Sequence, residues 1–185
     1  MKSFAIFGFA VALLAGTDLL QAQETPQTPA PEKEHQWLQQ LVGQWETRGE
    51  AVMGPGQPPV TCEGTQTVRA IGPFWTVSET TSNFMETPVT GIMTLGYDPE
   101  KEKFVGTWID SMTNTMWTYE GTLDETGKIL TLKTEGPNPT NPGETSQYKE
   151  TIEVKSKDHK VFSSSIQGSD GKWFTFVTID CKRKK

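Results

Sequence analysis

The residue types that most often carry chemistry are sparse in this chain: two histidines, His35 and His159, and two cysteines, Cys62 and Cys181. Zinc chemistry built on three histidines is excluded by count. No Cys-x-x-Cys, His-Glu-x-x-His, phosphate-cradling Gly-x-x-x-x-Gly-Lys, Gly-x-Gly-x-x-Gly or Gly-x-Ser-x-Gly pattern occurs. Two Ser-x-x-Lys matches, Ser146 with Lys149 and Ser169 with Lys172, fall on opposite faces of a strand and across a turn, so neither forms a nucleophile–base pair. His35 opens a helix-like stretch and His159 stands in a Lys-Asp-His-Lys turn, outside any ligand cluster. No catalytic residue, metal site or cofactor, haem included, follows from these positions.

What remains is one carboxylate among aromatics. Thr113-Asn114 reads as a two-residue turn, which sets the register of the strands on either side. Phe104 then faces Leu123, Gly106 faces Gly121, Trp108 faces Tyr119, and Asp110 faces Trp117. This face is aromatic, the opposite one mixed, so the first is expected to point inward, continued by Met93, Leu95 and Tyr97 of the preceding strand. A buried carboxylate needs a cation, hydroxyls or an opening to water. Arg69 is the expected cation, alternating with Glu63, Thr65 and Thr67 on an early strand. Arg69, Met93, Tyr97, Trp108, Asp110, Trp117 and Tyr119 are therefore the candidate ligand-binding residues. The same residues also fit a structural ion pair closing one end of a core, and the six tryptophans could line a cavity or fill it.

The elements that must hold these residues are mostly strands. Trp37, Leu38, Leu41 and Val42 make one apolar stripe on a short helix over residues 34–42. From Gln44 the period changes to two, and turn signals such as Gly72-Pro73, Asp98-Pro99 and Ser169-Asp170-Gly171 recur every eight to fifteen residues. About ten strands result, near 44–53, 60–71, 74–85, 89–97, 103–112, 115–124, 128–134, 145–156, 160–167 and 172–182. The fold class is all-β: tight turns favour an antiparallel up-and-down meander, which removes its open edges by closing into a barrel.

The N-terminus reads as an address. Met1-Lys2-Ser3, the apolar run Phe4 to Ala15 and then Leu20-Gln21-Ala22 match a secretory signal peptide over residues 1–22. That run is too short to span a bilayer as a helix, which takes about 20 residues, and no later run is longer, so no membrane span is expected. Residues 23–33 are Pro-rich and nearly free of hydrophobes, a flexible leader, and 34–185 form the barrel domain. Export, to the periplasm or beyond, would let Cys62 and Cys181 form a disulfide, and two separate buried thiols are the alternative. A net charge of −6 argues against nucleic acid as a partner. The basic ending Lys182-Arg183-Lys184-Lys185 reads as a solubilising tail.

Several stretches resemble a known family. They are Leu41-Val42-Gly43-Gln44-Trp45, Gly72-Pro73-Phe74-Trp75, Gly96-Tyr97-Asp98, the run Lys103 to Met112 with Gly106-Thr107-Trp108-Ile109-Asp110-Ser111, Leu130-Thr131-Leu132, Asp158-His159, Asp170-Gly171-Lys172-Trp173 and Lys182-Arg183. Together they are similar to the bacterial "domain of unknown function 1579" family over about Glu34 to Lys185, and Gly43-Gln44-Trp45 looks like the opening of lipocalin-like barrels. The resemblance implies a lipocalin-like antiparallel barrel and often export; it implies no activity, cofactor or catalytic residue. Three functions fit: binding a small hydrophobic or amphipathic molecule inside the barrel, an isomerase- or lyase-type enzyme using Asp110 with Arg69 or Tyr97, and a structural or interaction protein with a filled core.

Overall fold

The computed structural model describes residues 29–185 apart from residue 55. The expected signal peptide (1–22) and the first part of the Pro-rich leader (23–28) lie outside the described residues. From Pro31 onward the chain forms one compact unit. A short helix α1 (Lys33–Gln39) is followed by ten strands: β1 (Gly43–Ala51), β2 (Val60–Ile71), β3 (Trp75–Phe84), β4 (Thr87–Asp98), β5 (Lys103–Asp110), β6 (Trp117–Leu123), β7 (Ile129–Pro137), β8 (Thr145–Ser156), β9 (His159–Gln167) and β10 (Trp173–Arg183). Each strand pairs antiparallel with the next, and β10 pairs with β1, so the meander closes into an up-and-down barrel with no free edge. The expected fold class holds, and the expected strands agree with the observed ones to within three residues. No helix among the described residues is long and apolar enough to cross a membrane.

Alternation sets what goes inside. On β1, Trp45, Thr47 and Ala51 are buried while Gln44, Glu46, Arg48 and Glu50 are exposed. The core gathers at the end where β1 begins. There Trp37, Leu38 and Leu41 pack with Trp45, Phe104, Leu130 and Leu132. The Trp37 Nε1 donates to the Gly127 carbonyl at 2.8 Å, and the buried His35 ring meets Phe74 and Tyr97 edge-on. The helix segment thus plugs one end of the barrel. Arg183 fastens that plug: its guanidinium donates to the carbonyls of Val42, Gln40 and Lys157 and lies 4.2 Å from the Trp45 ring centre. Within the basic ending, Arg183 is thus part of the closure, while Lys182, Lys184 and Lys185 are exposed.

One register differs from expectation. Phe104 pairs with Gly121, Gly106 with Tyr119 and Trp108 with Trp117, a slip of two residues from the two-residue turn. The cause is Asp110, whose Oδ1 accepts from the backbone N–H of both Met112 and Thr113 at 2.8 Å. That side-chain-closed turn opens a wider loop, Ser111 to Met116, before β6 starts. A slip of two keeps every side chain on its expected face.

The Cys62–Cys181 bridge does not form; both thiols are free. Cys62 lies opposite Gly49 and Cys181 opposite Thr47, so β1 stands between them. Two strand spacings put their backbones about 10 Å apart, beyond the reach of a disulfide, which needs roughly 7 Å or less.

The large aromatics lie flat over glycines. A Cβ at Gly91 would overlap the Trp108 indole, and one at Gly136 the Trp117 indole. Gly91→Ala is expected to destabilise the barrel by about 1–3 kcal/mol through this overpacking, read as a lower urea midpoint with an unchanged slope.

Candidate functional site

Inside the barrel is a cavity of about 310 Å³. It begins above the helix plug at Leu41 and runs toward the opposite end, where Phe84, Met112 and Phe176 line it. The loops at that open end carry Met53, Met85, Met112 and Met116, all exposed, so the mouth is rimmed with flexible apolar side chains. Ten strands leave room that an eight-stranded barrel fills with side chains.

Two ionisable groups of opposite kind sit in the wall. Glu150, at the centre of β8, is 6% exposed. Its Oε1 accepts from the Ser164 hydroxyl across the β8–β9 pair at 2.9 Å, and its Oε2 has no hydrogen-bond partner. Burial pushes its carboxyl up to about 7, against the lowering effect of the Ser164 hydrogen bond. Lys160, near the plugged end of β9, is equally buried. Its Nζ donates to the Gln66 Oε1 at 2.7 Å and lies 4.3 Å from the Trp45 ring centre. Gln66 in turn donates to the Thr80 hydroxyl at 3.1 Å. Burial pulls the Lys160 amine down to about 8; the Cys181 thiol opposes the shift and the neighbouring Arg183 charge adds to it. No carboxylate stands within ion-pair distance of Lys160 among the described residues. Ile152 and Phe162, paired across β8 and β9, form an apolar belt between the two stations.

The expected site residues divide. Met93, Trp108 and Tyr119 line the cavity; the buried Tyr119 hydroxyl is pushed up, by burial and then by Glu150 and Asp110. Trp117 packs edge-on against Tyr148 at 4.9 Å. Tyr97 lies at the plugged end, against His35 and Phe104. Asp110 sits at the mouth and, besides closing its turn, accepts from the Trp108 Nε1 at 2.9 Å. Arg69 is exposed, on the face of β2 opposite the buried Val68, so the expected interior pairing of Arg69 with Asp110 is not formed. A strand face carrying Glu63, Thr65 and Thr67 beside Arg69 is the more polar one, and it turns outward. His159, also outside the cavity, bonds Asp180 at 2.8 Å. Among the described residues, no group of three or more His, Cys, Asp or Glu is placed to hold a metal.

The model of the protein family of unknown function DUF1579 matches residues 30–183. The chain belongs to that family. No functionally curated protein matches it by sequence. Among solved structures, Rv2717c from M. tuberculosis is similar with a TM-score of 0.59 at 14% identity, covering 84% of this chain and 100% of that one. A redesigned β-barrel, mFAP0, bound to DFHBI, is similar with a TM-score of 0.43 at 14% identity, covering 78% of this chain and 99% of that one. The likeness to Rv2717c supports the barrel as a fold.

In this DUF1579 barrel the charged pair of the interior is Glu150 and Lys160, which the sequence reading missed. A signal for Glu150 was there: Tyr148, Glu150, Ile152 and Val154 are the more apolar of the two faces of β8. For Lys160 the signal was weak, because Lys160, Phe162 and Ser164 are no more apolar than Val161, Ser163 and Ser165.

Proposed function

We propose that the protein is exported and holds one small, largely apolar molecule inside its barrel. The observation that carries this reading is the interior cavity, open at one end, whose wall contains Glu150 with an oxygen left without a partner. A buried acceptor without a donor destabilises the fold by about 1–3 kcal/mol unless something supplies one. A core selected only for stability would close such a space or neutralise such a group. The methionine-rimmed mouth supports entry of an apolar molecule, and the N-terminal segment, with Lys2 followed by the apolar run Phe4 to Ala15, supports export.

Trp108 lines the cavity and Trp45 touches Lys160, so occupancy is expected to change intrinsic tryptophan fluorescence. Titration with decanoate, decanol and decylamine is expected to saturate for at least one of them. Native mass spectrometry of protein from its own host is expected to show a retained small molecule. No saturation with any probe and no retained mass would remove the reading.

A second reading, acid–base chemistry on the bound molecule, is favoured by Glu150 and Lys160 both being brought toward neutrality in an apolar site. It requires that the molecule retained by Glu150→Gln differ chemically from that retained by wild type; the same molecule in both excludes it.

A further inference from the structure

The cavity is not equally polar along its length, and that asymmetry selects an orientation for whatever it holds. At the plugged end Lys160 is the one cation in the lining. Its contacts are neutral: the Gln66 amide oxygen and the face of Trp45. The groups packed around it add no negative charge. The same indole also carries Arg183, and the Cys181 thiol opposite Lys160 on β10 is held in its neutral form, burial pushing it up to about 11. Glu150 is the nearest acid in the lining, and it lies four residues further along the β8–β9 ladder, roughly 13 Å by strand rise. Ile152 and Phe162 separate the two. An isolated buried cation is unfavourable, and one ammonium N–H beyond those given to Gln66 and to the indole is free for a third partner.

We propose that the bound molecule is an amphiphile with a single anionic headgroup, seated headfirst, its headgroup against Lys160 and Gln66 at the plugged end and its apolar body running past Ile152 and Phe162 to the methionine-rimmed mouth. This rests on the reading of the interior as a ligand site and adds the class of ligand and its direction. The anion completes the coordination of Lys160, which no protein carboxylate does. The belt of Ile152, Phe162 and Ile179 takes the chain, and Glu150, four residues further along the β8–β9 ladder, stands beside the apolar body and away from the head. A cationic amphiphile seated the same way would place two like charges in a low-dielectric pocket, which is strongly unfavourable. A neutral alcohol would gain only an ordinary hydrogen bond, weaker than a charge-assisted one.

The test compares decanoate, decyl sulfate, decanol and decylamine in fluorescence titrations on the intact protein at pH 7. Decanoate is expected to bind at least about tenfold more tightly than decanol, and decylamine more weakly than either. Decyl sulfate separates a planar carboxylate site, which would disfavour the bulkier head, from a general monoanion site; either result keeps the proposal. In Lys160→Met the preference for decanoate over decanol is expected to disappear while decanol still binds, and in Lys160→Arg it is expected to persist. Equal binding of decanoate and decanol by the wild type overturns the proposal and leaves the interior ligand site standing. Survival of the preference in Lys160→Met also overturns it, and should that variant fail to fold, the wild-type ratio decides alone. Failure of every probe to bind removes the underlying site instead.

Discussion

Replacing Glu150 with glutamine is expected to stabilise the protein at pH 8 relative to its effect at pH 4, by about 3 kcal/mol. The folded carboxyl titrates at about 7, the ordinary value being 4.5. Below pH 4.5 it is protonated in both states and favours neither. Between 4.5 and 7 the unfolded chain gives up its proton while the folded chain keeps it, so the folded state binds more protons and stability falls as pH rises. Above 7 the loss is complete and constant. Glutamine keeps an oxygen for the Ser164 hydroxyl and cannot ionise, so its stability has no such decline. Lys160 works in the opposite direction and in a different window. Its amine titrates at about 8 in the folded state against 10.5 ordinarily, so the buried cation is a burden below pH 8 that is relieved as pH rises toward 10.5. The difference in urea-unfolding free energy between wild type and Glu150→Gln is therefore expected to change from pH 4 to 7, and that between wild type and Lys160→Met from pH 8 to 10.5. The two groups together place a trough in wild-type stability between pH 7 and 8. Parallel pH profiles for wild type and Glu150→Gln would show that the carboxyl is hydrated and not buried.

At neutral pH an acid and a base inside the wall each weaken the barrel, and a ligand that satisfied them would return that stability on binding. This explains why the sequence revealed the barrel far better than its interior. Strand existence and facing follow from alternation, which repeats along every strand and tolerates a slip of two, as between β5 and β6. The contents of the interior depend on single exceptions to that alternation. Asp110 attracted attention because aromatics surround it, yet it lies at the last position of β5, where a carboxylate reaches the turn and its backbone N–H groups. Glu150 looked ordinary among Lys149, Glu153 and Lys155, yet it lies in the middle of a twelve-residue strand, where an inward side chain is far from either rim. Distance from the strand end, not the residues nearby, separated the two carboxylates. The cysteines make the same point in another way: both face inward, and only the closure of β10 on β1 placed a strand between them.

Trp45→Ala is expected to destabilise the protein by about 3–5 kcal/mol, a large share of the roughly 5–15 kcal/mol available to a domain. The Trp45 ring is among the largest fully buried side chains, and its Nε1 donates to the Leu41 carbonyl at 2.9 Å, joining the helix plug to β1. Lys160 at 4.3 Å and Arg183 at 4.2 Å both pack on its ring, so two cations depend on it for a partner. Alanine leaves a void, a Leu41 carbonyl without the indole N–H, and two neighbouring positive groups without the ring they pack on. Removing one of those charges relieves part of the damage. The double variant Trp45→Ala with Lys160→Met is therefore expected to be more stable than the sum of the single effects predicts, by about 1–2 kcal/mol. Trp45→Phe, which keeps an aromatic face and loses the N–H, is expected to cost about 1–2 kcal/mol and to preserve the coupling to Lys160. Strict additivity in the double variant would mean that the indole fills space without screening the cations, and Lys160 would then owe its place in the cavity wall to Gln66 alone.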